Sequence, residues 1–180
     1  YVARQVSRWS KQYRASETDN IEAMNNLIEW LPKNIPDDDE TTIVHGDYRL
    51  DNMILRNNEV IGILDWELST LGHPIADFSY HCLSWRTQEA FWDEAKLKEL
   101  GIPSEREYME MYCENSGKDL SKNWEFYMAF NMFKIAGILQ GILGRVRDGT
   151  AASKHAEERG NMVFPLSEAA WSTIEENFLK

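Results

Sequence analysis

Strand-forming sequence in this chain is confined to one stretch, residues 42–64, and helical periodicity fills most of what lies on either side. Thr42-Ile43-Val44, Met53-Ile54-Leu55 and Val60-Ile61-Gly62-Ile63-Leu64 are short apolar runs of the kind that suit a pleated, half-buried surface. Asn57-Asn58, between the last two, predicts a hairpin because Asn tolerates positive φ. The fold class that follows is α+β, mostly helical, with a few short strands whose ends carry loops.

The helical readings rest on spacing and caps. Val2, Val6, Trp9 and Tyr13 recur at helical intervals over residues 1–15. Asp19 is placed to cap a second helix through Ile21, Met24, Leu27, Ile28 and Leu31, stopped by Pro32. Beyond Pro74 helices are expected from Pro74 to Leu83, through Phe91-Trp92 to Leu97, from a Ser104/Glu107 capping box, from near Ser121 through Leu143, and from Leu166 to Phe178. Asp37-Asp38-Asp39-Glu40 reads as a solvated loop, because adjacent carboxylates repel. The Trp, Tyr and Phe residues, seven of each, read as core at helical spacing. Gly137, Gly141 and Gly144 read as close helix packing, since no strand precedes them. With no repeat or long linker, residues 1–180 are expected to form a single domain.

A chain of 180 residues with 43% hydrophobic and 27% charged residues has enough apolar side chain for a packed core. Its formal net charge of −11 argues against nucleic acid or anionic membrane as a general partner. No membrane span is expected, for want of an apolar run of about 18 residues. Cys82 and Cys113 are too few for a disulfide framework, so a reducing compartment, the cytoplasm by default, is expected. The opening Tyr1-Val2-Ala3-Arg4-Gln5 is neither a signal peptide nor an initiator, which suggests part of a longer protein.

Chemistry concentrates in His45-Gly46-Asp47-Tyr48-Arg49-Leu50-Asp51-Asn52 and Ile63-Leu64-Asp65-Trp66-Glu67. Phosphoryl transfer needs a group to receive or orient the proton of an attacking hydroxyl, and oxygen ligands for magnesium on the phosphates. Asp47, after a strand and a glycine, can take the first role; a turn-capping Asp is the alternative. Asn52 and Asp65 supply one neutral and one anionic oxygen, which with a nucleotide triphosphate and water meets the preference of Mg2+. Glu67 is either a further metal ligand or a solvated charge at a helix start. Arg49 either stabilises the transferred phosphate or pairs with Asp51 at the surface. His45 is expected to fix the loop backbone rather than act as a base. Asp77 is expected to brace the loop by accepting hydrogen bonds from His45 or Arg49, beyond its favourable place in a helix first turn. His73 reads as loop surface.

His45-Gly46-Asp47 with Asn52, Ile63-Leu64-Asp65-Trp66-Glu67, and Gly72-His73-Pro74 with Asp77 together resemble the aminoglycoside phosphotransferase-like (phosphotransferase enzyme) family, distant relatives of protein kinases. Within it they look closest to the kinase-like domains associated with acyl-CoA dehydrogenases. The resemblance implies the carboxy-terminal lobe of a protein-kinase-like fold. It implies ATP-dependent phosphorylation of a hydroxyl on a small-molecule substrate, with Asp47 as base and Asn52 and Asp65 as Mg2+ ligands. For the nearest subgroup it suggests a hydroxyacyl-CoA as acceptor. The family's amino-terminal lobe, with its phosphate-covering loop and lysine, has no counterpart before His45 and is expected to be a missing partner, leaving the fragment little activity of its own. Two other readings stand beside the kinase: a non-catalytic module binding a nucleotide or acyl-CoA, and a metal-dependent phosphohydrolase, which generally needs more ligands.

Overall fold

The computed structural model describes residues 1–38, 40–87, 94–120 and 123–180, which divide into two compact units, 1–39 with 125–180, and 40–124. Asp39, Phe91, Trp92 and Ser121, on which parts of the acidic-loop and two helix expectations fall, lie outside the described residues.

The first unit is helical. It comprises α1 (Val2–Ala15), α2 (Glu22–Trp30), α7 (Trp124–Arg147), α8 (Ala156–Asn161) and α9 (Val163–Phe178). Helix α1 buries Val2, Val6, Trp9 and Tyr13, the stripe its periodicity demands. Met24 and Leu27 of α2, Phe130 and Phe133 of α7, and Ala170 and Ile174 of α9 are sealed from solvent, and each large side chain so buried contributes about 1.5–3 kcal/mol. Trp30 lies 5.2 Å from the ring of Phe178, joining α2 to α9. The glycines of α7 serve packing: a Cβ on Gly137 would sit 3.6 Å from the Trp9 carbonyl, and one on Gly144 would sit 3.3 Å from that of Ser16. Helix α7 is long and apolar enough, at mean hydropathy 1.3, to cross a membrane, yet 67% of that window is buried inside the protein, as in the core helix of a packed unit.

One cap is corrected. Helix α2 starts after Ile21, with no side-chain cap. The Asp19 carboxylate instead accepts from Thr18 Oγ1 at 3.0 Å and pairs with Arg147. A charge-assisted partner from the end of α7 outcompetes a local backbone amide, and the buried Ile21 side chain sets the entry.

The second unit carries the strands: β1 (Thr42–Val44), β2 (Met53–Arg56), β3 (Glu59–Ile63) and β4 (Thr70–Gly72), then α3 (Pro74–Cys82), α4 (Ser84–Thr87), α5 (Glu94–Glu99) and α6 (Glu105–Ser116). The strands form two antiparallel pairs, β2 with β3 and β1 with β4. Asn57 and Asn58, at φ 52° and 64°, close the β2–β3 hairpin in the left-handed geometry that matches strand twist. Strand β4 was not expected; it is three residues long and exists through its pairing of Val44 with Thr70 and Thr42 with Gly72. Ser104 and Glu107 form the full reciprocal capping box at the start of α6, which Gly117 ends in a left-handed turn. Glu40, at the edge of the acidic stretch, pairs with Lys118. Contrary to its expected surface place, His73 is only 2% exposed, because it stands between β4 and the first turn of α3.

Candidate active site

The loop after β1 is gripped from α3. Both carboxylate oxygens of Asp77 accept backbone N–H groups, Oδ2 from His45 and Oδ1 from Gly46, each at 2.8 Å. Asp77 lies in the first turn of α3, so the brace Asp77 was expected to supply comes through backbone amides; Arg49 takes no part in it. Gly46 adopts φ +85°, and a Cβ there would lie 2.7 Å from the Leu68 carbonyl oxygen. Only glycine fits that backbone without strain.

His45 is buried and both ring nitrogens are engaged. Nδ1 accepts the Asp47 amide at 3.2 Å, which leaves Nε2 to donate to the Leu64 carbonyl at 2.8 Å. The tautomer follows from those partners. Its ring also lies 4.8 Å from that of Trp66. His45 thus occupies the loop-fixing place read for it and ties the loop to the end of β3.

The same junction brings the two expected metal ligands into one neighbourhood. The Leu64 amide donates to the Asn52 carbonyl at 2.8 Å, and Asp65 is the next residue. Asn52 Nδ2 donates to the Asp47 carbonyl at 2.9 Å and to its carboxylate at 3.1 Å. Both partners are acceptors, so the amide orientation is forced and Oδ1 faces away. Among the described residues no donor reaches that Oδ1 or the Asp65 carboxylate. Asp65 is exposed and held left-handed at φ 63°, ψ 50°, a conformation Asp tolerates better than most residues but that still costs about 1–2 kcal/mol. Among the described residues no three His, Cys, Asp or Glu side chains are arranged to hold a metal ion by themselves. Two hard oxygens without protein donors fit a magnesium ion that takes its remaining ligands from phosphates and water.

Arg49 stands between carboxylates, with Nε 3.5 Å from Asp47 Oδ2 and 3.6 Å from Asp51 Oδ2. Its side chain is 54% exposed, so these pairs add little to stability and leave the guanidinium reachable by an anion. Glu67 is exposed on the turn after Asp65.

One partner of Asp47 escaped the sequence reading. Tyr80 Oη donates to Asp47 Oδ1 at 2.9 Å. The signal was its position three residues after Asp77, which places both on one face of α3, but that face acquires meaning only once α3 lies against the loop. Burial, and then the hydrogen bond and charge of Asp47, push the Tyr80 phenol up to about 12. Around Tyr48 a half-buried aromatic group extends outward: His81 at 5.2 Å, and Tyr108 stacked on Trp85 at 5.1 Å. Burial holds the His81 pKa below its ordinary value.

A helical body that offers its polar oxygens from the ends of short strand pairs has the architecture of kinase-like phosphotransferases. Comparison with known proteins places the chain more narrowly. The model of the phosphotransferase enzyme family matches residues 1–112, and the chain belongs to that family. It is 47% identical over 178 residues to acyl-CoA dehydrogenase family member 10 of Mus musculus, covering 95% of this chain and 17% of that protein. It is 40% identical over 185 residues to acyl-CoA dehydrogenase family member 11 of Homo sapiens, covering 99% and 24%. A solved structure from Ralstonia eutropha JMP134, described as a candidate aminoglycoside phosphotransferase, superposes with TM-score 0.90 at 48% identity, over 98% of this chain and 56% of that one. The chain therefore spans under a quarter of these two curated relatives and about half of the solved neighbour.

Proposed function

We propose that this chain is the catalytic lobe of an ATP-dependent small-molecule kinase that phosphorylates a hydroxyl group. The observation that carries the reading is the joint placement of Asp47, Asn52 and Asp65 around the Leu64 junction. In this reading Asp47 receives or orients the proton of the acceptor hydroxyl. Asn52 Oδ1 and the Asp65 carboxylate hold magnesium, which when bound neutralises charge on the phosphates. Arg49, exposed and beside Asp47, meets the transferred phosphoryl group and offsets its charge, a local answer to the acidity of the chain. Asp77 and His45 keep the loop in shape. Little covalent work is asked of the protein, and positioning supplies most of the catalysis.

The relatives are named as acyl-CoA dehydrogenase family members, which favours a hydroxylated acyl-CoA as acceptor. The phosphate-covering loop and its lysine are proposed to come from sequence outside residues 1–180, since the chain covers 56% of its solved neighbour. Residues 1–180 act as one lobe in this scheme, in a reducing intracellular compartment. The alternative, a module that binds nucleotide or acyl-CoA without turnover, keeps the same residues in binding roles.

The test is Mg–ATP consumption by the full-length protein against a panel of hydroxylated acyl thioesters, acids and sugars. Asp47→Asn is expected to lower turnover by about a hundredfold or more, the scale of a lost acid–base group, with the fold intact. Near-normal phosphorylation by that variant removes Asp47 from the role. Nucleotide binding with no turnover of any acceptor favours the binding module.

A further inference from the structure

We propose that Tyr80 is a positioning residue that fixes the plane of the Asp47 carboxylate for proton acceptance, a role that rests on the phosphotransfer reading above. A carboxylate torsion is broad and roughly two-fold, so a group held at one oxygen still swings about its Cβ–Cγ bond. Asp47 is held at both: Tyr80 donates to Oδ1 at 2.9 Å and Asn52 to Oδ2 at 3.1 Å. Rotation in either direction breaks both bonds. Arg49 does not replace Tyr80, because it approaches the oxygen already held by Asn52, at 3.5 Å from an exposed side chain. A carboxylate offers about four lone-pair sites, so two bonds leave capacity for an acceptor hydroxyl.

The helix that supplies Tyr80 also supplies Asp77. One turn of α3 therefore holds the loop backbone through His45 and Gly46, and the next holds the reactive side chain of the same loop. Loop and carboxylate are aligned to one rigid element, and small misplacement in such a site is costly: about 1 Å can lose a hundredfold in rate. The raised phenol of Tyr80 keeps the hydroxyl a donor at every pH where Asp47 is a useful base. A tyrosine present only to fill space is replaceable by phenylalanine, and that separates positioning from packing.

The experiment uses the full-length protein, with Mg–ATP hydrolysis as the probe and water standing in for the acceptor hydroxyl. Tyr80→Phe is expected to lower kcat about tenfold or more while the KM for Mg–ATP stays within about twofold and the unfolding temperature holds. A second arm needs no turnover. With 13C-tyrosine labelling, Asp47→Asn is expected to lower the Tyr80 titration by about one unit or more, because it removes the charge and leaves at most a neutral amide oxygen to accept from the phenol while burial remains. Wild-type kcat in Tyr80→Phe overturns the proposal, as does a fall in kcat matched by an equal rise in KM. An unmoved Tyr80 titration in Asp47→Asn overturns it as well. Absence of Mg–ATP turnover in the wild type with water and with every acceptor of the panel overturns the phosphotransfer reading and with it the positioning role, whereas the titration arm then reports separately on the Tyr80–Asp47 contact.

Discussion

Asp77→Ala should destabilise the second unit well beyond an ordinary surface substitution. The carboxylate accepts two backbone amides at 2.8 Å, from a buried His45 and a half-buried Gly46. Hydrogen bonds to a charged group contribute about 1.5–3 kcal/mol each, and a buried amide left unmade costs a similar amount. Water can reach the Gly46 amide more readily than that of His45, so the loss should come to about 3 kcal/mol rather than the full sum. For a chain of this size that is a fall in unfolding temperature of about 6–12 °C. Asp77→Asn should lose about half as much, since its amide oxygen can still accept one N–H while its NH2 group opposes the other. Thermal unfolding of residues 1–180, followed by far-UV circular dichroism, reads both variants against wild type. A loss below about 1 kcal/mol in Asp77→Ala would refute the reasoning, because it would mean the two amides find equivalent partners in water.

Three further outcomes follow from the same structure. Gly46→Ala, which forces a Cβ to 2.7 Å from the Leu68 carbonyl at φ +85°, should cost about 2–4 kcal/mol in a denaturant titration; a midpoint within error of wild type would contradict the close approach. Cys82 is fully buried and its thiol is pushed far up by burial, whereas Cys113 is half-buried; a thiol reagent should label one cysteine rapidly in the native chain and two after denaturation. Burial lowers the His81 pKa below 6.5, so on acidification the unfolded chain takes up a proton that the folded chain resists. Stability should fall as pH drops below about 6.5 and level off below the folded value, and His81→Gln should flatten that slope in denaturant midpoints compared between about pH 7.5 and 5.5.

What the sequence made legible was whatever depends on near neighbours. Asn57-Asn58 announced the hairpin through a conformational preference carried by the residues themselves, and Ser104 with Glu107 announced a cap that closes within one turn. His45, Asp47, Asn52, Asp65 and Asp77 could be singled out in order because their residue types and spacing resemble the family's motifs, although the contacts of Asp77 reach back up to 32 residues. What was hidden depends on distant partners. Asp19 fails as a cap because Arg147 competes for its carboxylate from 128 residues away. Strand β4 exists only because β1 lies beside it. His73 and Tyr80 took their places, buried and against Asp47, through the docking of α3, and no local pattern marks where a helix will dock.

The double grip of Asp77 on His45 and Gly46 also sets a timetable for the molecule. Strand hairpins such as β2–β3 close over a few residues and within microseconds, but the loop after β1 waits for a carboxylate 31 and 32 residues downstream, and distant pairings pay loop-closure entropy before they gain anything. The loop therefore holds its shape only while α3 is docked, and any opening that withdraws Asp77 releases both amides together. Two amide protons on one gatekeeper should exchange with solvent deuterium at a common opening free energy, below that of global unfolding. Mass-resolved exchange at His45 and Gly46 would then report how often Asp77 lets go of the loop without global unfolding.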